Sequence, residues 1–296
     1  MPRLVNQENS EKEYDFHHFI NTDRYVMDFH SHNYVEIYLS ISGGDKFIVK
    51  DRIYEIRPRD LFVINTFDVH RVITQEDAVY ERYVLEFKPS FASSFSTDRS
   101  DLLFHVSTRA SGSPDRIRLS EERFDTAMAL IRSYEAVDDQ AYCADVLRRM
   151  KIVEMLAYVA RLFHEEASEG QLAARTESHD AITPLLSYIN DHFTEPLSLD
   201  ALAAETGYNK FYLCKVFKST TGITVGSYIT KCRIAYAKQL LLSDCSVTDT
   251  AFRSGFHDLS HFIRTFRKET GVPPRKYLSD EMSAADSSRY YIGPEL

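Results

Sequence analysis

Residues 198–222 read SLDALAAETGYNKFYLCKVFKSTTG, and residues 246–271 read SVTDTAFRSGFHDLSHFIRTFRKETG. Laid over each other, they match Ala203 to Ala251 and Gly207 to Gly255 at an offset of 48 residues. Leu213 then matches Phe262, Lys215 Arg264, Phe217 Phe266, Lys218 Arg267 and Gly222 Gly271, at an offset of 49. One extra residue in the turn of the second copy accounts for the change. Each copy predicts a short helix, a tight turn and a longer helix with basic residues on one side. That is helix-turn-helix organisation, a DNA-reading device. The punctuation agrees. Ser198 and Asn209 predict N-caps in the first copy, and Ser246 and Asp258 in the second. Asp249, three residues after Ser246, completes a capping box with Asp in place of Glu. Gly207 and Gly255 supply the backbone freedom a helix end needs.

The repeat sits in a longer helical region. A helix is expected from about Ala181 to Phe193, with Ile182, Leu185, Leu186 and Ile189 inward. A second, from about Val225 to Leu242, joins the two units. At 1.5 Å per residue it spans about 27 Å, a stiff spacer that would place two recognition helices about one DNA turn, roughly 34 Å, apart. The core side of the first recognition helix is Leu213, Val216 and Phe217. Its opposite side carries Lys210, Phe211, Cys214, Lys215 and Lys218. On the second, Phe262 and Phe266 turn inward, and Leu259, Ser260, Ile263, Arg264, Arg267 and Lys268 are the candidates for the groove side. Arg275 and Lys276 suit phosphate contacts.

Residues 181–278 resemble the DNA-binding domain of the AraC/XylS family of bacterial transcription regulators. The run from Ser254 to Tyr277, closing on Gly271-Val272-Pro273-Pro274, carries the resemblance most strongly. The family usually has Ser at the start of the first recognition helix and Arg in its middle, where Asn209 and Lys215 stand here. Asn still caps, but Lys lacks the bidentate fork that reads guanine. The usual Ile-Ala before the second turn is Thr250-Ala251. The resemblance implies seven helices, two helix-turn-helix motifs and docking of each domain on one DNA half-site.

The other half of the chain reads differently. Residues 14–90 predict short strands, among them Val35–Ser42, Lys46–Val49, Asp60–Asn65 and Val79–Phe87, broken by turn signals at Gly43-Gly44-Asp45 and Arg57-Pro58-Arg59-Asp60. Many short strands with close turns argue for a small barrel or sandwich. His30, His32, Tyr34, Glu36 and Tyr38 share one strand parity, and Val35, Ile37, Leu39 and Ile41 take the other. The pattern His30-x-His32-x3-Glu36, with Gly43 and a later His70, resembles the cupin barrel. In metal-binding cupins the matching four residues coordinate a divalent metal, and this ligand set suits Zn, Mn, Fe or Ni. The second cupin motif departs, with Asp60 in place of Gly and the bulky Asn65-Thr66-Phe67-Asp68-Val69 before His70. The preferred reading is therefore a pocket for a small polar effector, a sugar among the candidates. Its walls would be His30, His32, Tyr34, Glu36, Tyr38 and His70, with Tyr25 nearby, and no cofactor is called for.

Residues 119–166 switch to helical periodicity. Ser120 predicts an N-cap, Phe124, Met128, Ile131 and Tyr134 recur on one face, and a second run places Val146, Met150, Val153, Leu156, Ala157, Ala160 and Phe163 together. The apolar positions exceed what one packing contact needs, so an exposed remainder is read as a dimer seam; the alternative is that the pair simply caps the barrel. Residues 167–180 lose the apolar pattern and read as a linker, and residues 281–296 as a frayed tail.

Bulk properties bound the function. The 296 residues suffice for two domains. The net charge of −9 splits into −10 over residues 1–180, +3 over 181–280 and −2 over 281–296, so nucleic acid is expected at one end only. No apolar run approaches bilayer length, no secretory h-region is visible, and the four cysteines form no CxxC pair, which together predict a cytoplasmic protein without membrane partners. The reading is an α+β chain of two domains. A cupin-like barrel (14–118) with a helix pair (119–166) precedes the linker (167–180), and an all-α domain (181–280) holds helix-turn-helix motifs at 198–219 and 246–268. Its function is that of a non-enzymatic, homodimeric, effector-controlled regulator that binds promoter DNA and works with RNA polymerase. The alternative is a metal-dependent cupin enzyme fused to a DNA-binding module, with metal at His30, His32, Glu36 and His70.

Overall fold

The computed structural model describes residues 12–22, 27–44, 46–74, 79–107, 115–168 and 182–287. Eight strands form two antiparallel sheets. β1 (Tyr14–Asn21), β2 (Val35–Ser40), β5 (Asp60–Ile64), β7 (Tyr80–Phe87) and β8 (Arg116–Arg118) make one, in the order β1-β7-β2-β5-β8. β3 (Lys46–Val49), β4 (Arg52–Glu55) and β6 (His70–Ile73) make the other, in the order β4-β3-β6. The strand period of two sorts side chains cleanly. Tyr38, Phe62, Ile64 and Val84 of the larger sheet meet Phe47, Val49, Tyr54 and Val72 of the smaller one between the sheets.

Both outer faces are covered as well. Val35, Ile37, Leu39, Leu61, Val63, Leu85 and Phe87 lie under α3 (Glu121–Glu135) and α4 (Ala144–Ser168), where Ile131, Ile152, Leu156, Val159 and Phe163 close a second core. Ser120 caps α3 by accepting from the Arg123 amide. The apolar run on α4 does not share one face. Leu156, Ala160 and Phe163 are buried, whereas Val146 and Met150 are half-exposed. The helix is 25 residues long, and the buried side chains it gives to this core run from Ile152 to Phe163. Between β7 and β8 lie two short helices, α1 (Pro89–Ser93) and α2 (Phe104–Ser107).

The outer face of the smaller sheet meets the C-terminal half. Phe29, Ile48 and Val69, with Ile53, Phe67 and Ile73 at the edge, join Ile182, Leu185, Leu186 and Ile189 of α5 (Ile182–His192) in one core. The same core takes in Leu202 of α6 (Leu199–Thr206), Leu213 and Phe217 of α7 (Lys210–Thr221), and Val225, Tyr228, Ile229 and Cys232 of α8 (Val225–Leu242). The second unit has its own core. Ile234, Ala237 and Leu241 from the far half of α8 pack with Ala251 of α9 (Val247–Arg253), Phe262 and Phe266 of α10 (Leu259–Thr270) and Tyr277 of α11 (Pro274–Ser287). Seven helices are thus described from residue 182 onward. The four expected N-caps form, with Ser198 accepting from Ala201, Asn209 from Phe211, Ser246 from Asp249 and Asp258 from His261.

Two expectations need correction or restriction. Of the expected frayed tail, 281–287 are helical, because no Gly or Pro interrupts 275–287, and Glu281 accepts from Asn33 of the barrel half at 2.6 Å, while 288–296 lie outside the described residues. Of the expected linker, 167 and 168 end α4 and the rest lies outside the described residues, as does Tyr25.

Gly255 lies beyond the end of α9 at φ +88°, and a Cβ there would stand 2.8 Å from the Thr194 carbonyl oxygen. Gly207, at φ +69°, has nothing within 4 Å. Gly207→Ala is expected to cost about 1 kcal/mol, the left-handed penalty alone, and Gly255→Ala about 3 kcal/mol or more, since the clash adds to it. Urea unfolding of both variants checks this; equal losses would contradict it.

Candidate nucleic-acid interface and barrel site

The two recognition helices present the same face at the same places. Opposite the buried Leu213 and Phe217, α7 exposes Phe211, Lys215 and Lys218, with Cys214 half-buried among them. Opposite Phe262 and Phe266, α10 exposes Ser260, Ile263, Arg264 and Arg267. These sets fall at i, i+3, i+4 and i+7, one stripe of an α-helix. Lys268 is exposed next to the stripe, while Leu259 is partly buried against the second core. Lys210 reaches back to Asp200 on α6, with Nζ 3.0 Å from Oδ1. Tyr208 and Tyr212, not singled out from sequence, flank Phe211 half-exposed, their ring centroids 5.4 Å apart.

Inside the barrel, His30, His32, Glu36 and His70 come together. His30 and His70 exchange backbone hydrogen bonds of 3.1 and 3.0 Å, and their rings lie 4.1 Å apart. Each histidine is oriented in the same way. Nδ1 of His30 lies 3.0 Å from the Asp28 carbonyl, Nδ1 of His32 3.1 Å from that of Tyr34, and Nδ1 of His70 2.8 Å from that of Asp68. A carbonyl only accepts, so Nδ1 donates in all three, and in the neutral ring Nε2 carries the lone pair. One ligand nitrogen from each of the three rings lies within 4.8 Å of the others. Nε2 of His32 is 3.2 Å from Glu36 Oε2, and Nε2 of His70 3.5 Å from the same oxygen.

The charges follow. Burial drives the His30 pKa well below the ordinary range, and His70 and His32 push it further. Burial also opposes charge on His32, but the hydrogen bond and charge of Glu36 outweigh it and raise its pKa. Burial would raise Glu36, yet the hydrogen bonds from His32 and His70 hold it well below the carboxylate range. Glu86 on β7 was not singled out from sequence. Its register partner is Glu36, and its pKa is raised by burial and then by that neighbour's charge. Tyr34 is buried beside His32, while Tyr38 lies deeper, among Phe47 and Phe62 and hydrogen-bonded to Tyr80.

The residues flanking the two bridged histidines grip the helical half. Phe29 packs edge-on to Tyr228 at 5.2 Å, and the Ser31 carbonyl accepts from Lys238 at 3.0 Å. Arg71 donates to the Thr221 carbonyl at the end of α7, and Tyr228 donates to the Lys50 carbonyl at 2.7 Å.

Residues 15–142 match the AraC-like ligand binding domain, and residues 202–280 match a helix-turn-helix domain. The HTH-type transcriptional activator RhaS of Klebsiella pneumoniae is 27% identical over 248 residues, covering 83% of this chain and 85% of that protein. An uncharacterised HTH-type transcriptional regulator of Staphylococcus aureus is 25% identical over 267 residues, which is 89% of this chain. This chain spans about a third of that relative's length, 34%. Among solved structures, ToxT of Vibrio cholerae aligns over 91% of this chain and all of that one, at 18% identity and a TM-score of 0.37. The chain belongs to the AraC family of transcription regulators. The matched domains are a ligand-binding and a helix-turn-helix domain, and the relatives named are transcriptional regulators. No helix among the described residues is long and apolar enough to cross a membrane.

The His32–Glu36 pair sets a pH signature for chelator-treated protein. A raised His32 pKa stabilises the fold below about pH 6.5, and that contribution is lost as pH rises through the folded value; Glu36 is held low by the protonated imidazole, so the pair contributes above about pH 4.3 and only while His32 keeps its proton. Glu36→Gln is therefore expected to cost about 2 kcal/mol near pH 6 and markedly less near pH 9. Thermal unfolding across that range checks this; a pH-independent loss would contradict it.

Proposed function

We propose that this chain regulates transcription by reading promoter DNA with two helix-turn-helix units under the control of a small polar effector held in the barrel. One observation carries the reading. Phe211, Cys214, Lys215 and Lys218 on α7 stand in register with Ser260, Ile263, Arg264 and Arg267 on α10, each stripe turned away from its core. Two such faces at the ends of one 18-residue helix suit successive stretches of major groove. Lys218, Lys268, Arg275 and Lys276 supply phosphate contacts, which make affinity salt-dependent. Arg264 supplies a fork for guanine.

The effector reading is supported by the buried imidazoles and carboxylates, which offer both donors and acceptors to hydroxyls. Carbohydrates are the class to screen first, by thermal shift. A second reading of the same site has its own support: with Nδ1 of all three rings committed to carbonyls, Nε2 is the nitrogen each ring can offer once deprotonated, and one ligand nitrogen from each lies within 4.8 Å of the others beside Glu36, a donor set that suits a transition metal. Elemental analysis of protein purified without chelators separates the two. Stoichiometric metal supports the second reading, and metal-free protein stabilised by a sugar supports the first. Self-association through α4, recruitment of RNA polymerase and a cytoplasmic setting complete the proposal.

Arg264→Ala is expected to weaken binding to a site selected from random duplexes by about 1–3 kcal/mol and to relax preference at one base. An unchanged binding curve across base variants would contradict the assignment. Val146, Leu147 and Met150 leave an apolar strip on α4, each about half-exposed. Met150→Glu is expected to shift the chain from dimer to monomer in sedimentation without loss of fold; an unmoved dimer would place the seam elsewhere.

A further inference from the structure

The aligned stripes differ in chemistry. α10 offers a hydroxyl at Ser260 and guanidinium forks at Arg264 and Arg267. α7 offers Phe211, Cys214 and the point charges of Lys215 and Lys218, with no group that makes a planar bidentate bond. Lys210, the remaining cation on its first turn, is drawn to Asp200 at 3.0 Å. Phe211 is 77% exposed and lies in neither described core of the helical half. The structural work of α7 is done by Leu213 and Phe217, which are buried. At the equivalent place α10 does with a serine. The end of α7 tied to the barrel is its last turn, through Arg71 and the Thr221 carbonyl. Phe211 stands on the first turn, with the half-exposed Tyr208 and Tyr212 beside it and Cys214 three residues on. Cys214 acts there as a small apolar group.

The floor of the major groove displays one apolar feature, the 5-methyl group of thymine. We propose that the first recognition helix reads thymine methyls by apolar contact, with Phe211 as the specificity-determining residue and Cys214 at its side. The inference rests on the DNA-reading assignment above and goes beyond it. It divides the DNA site into a half read by methyl contact under α7 and a half read by hydrogen bonds under α10. The lysines of α7 then hold phosphates and set register without choosing bases.

The test uses the full chain and a duplex enriched by it from a randomised pool. Each thymine is replaced in turn by deoxyuridine, which keeps every hydrogen bond and removes only the methyl. For the unaltered protein, one or two positions in the α7 half are expected to lose about fourfold in affinity, the worth of one buried methyl. Phe211→Ala is expected to weaken binding to the all-thymine duplex on the order of tenfold and to abolish the deoxyuridine penalty. Phe211→Leu, still apolar, is expected to keep it, and Arg264→Ala to keep it while losing discrimination in the other half. Unchanged melting temperatures show that the variants fold. A deoxyuridine penalty of the same size in Phe211→Ala, or no penalty at any thymine, overturns the inference and leaves the regulator reading standing. A pool that yields no enriched duplex overturns both.

Discussion

The outer face of a three-stranded sheet organises this molecule. Ile48, Val69 and Phe29 turn away from the barrel interior, and four strand residues per strand cannot shield them. They are buried against Ile182, Leu185 and Tyr228 instead, so the barrel and the first helix-turn-helix unit share one core. A barrel with two sheets needs two covers. Here α3 and α4 supply one, and the DNA-reading half supplies the other. The second unit has a core of its own and is joined to the first along α8, whose near half belongs to the shared core and whose far half belongs to the second.

Strand alternation gives that arrangement its consequence. His30 and His70 point into the barrel, and their chain neighbours Phe29, Ser31 and Arg71 point out onto Tyr228, Lys238 and Thr221. One residue along the chain separates the interior from the helices. The same alternation loads the interior with charge that must be satisfied where it lies. Glu36 is kept ionised by the imidazoles around it, and the like-charged Glu86 across the strand pair takes up protons more readily as a result. Such a site is balanced for its own groups and sensitive to anything that adds charge or donors to it.

Much of this was legible in the chain. The repeat, the five caps at Ser120, Ser198, Asn209, Ser246 and Asp258, and the bounds of α8 follow from local signals, which a sequence carries in full. The parity of His32, Glu36 and Tyr38 was also visible, because period two needs only one strand. Non-local facts were not. Glu86 gains its meaning from its register with Glu36, 50 residues away. Ile48 and Ile53 read as ordinary strand residues, and nothing near them says that helices far along the chain cover them. The strip on α4 was assigned to one face because its spacing fits one loosely. The sheet beneath buries Leu156 and Phe163 and leaves Val146 and Met150 outside.

Hydrogen exchange on the full chain tests the shared core most directly. Amides of β3 and β6 should open together with those of α5 and the first half of α8, as one cooperative unit, while α9 to α11 open separately. Exchange of β3 and β6 at a free energy independent of α5 and α8 would contradict the account, for it would mean that the barrel and its neighbouring reader merely touch.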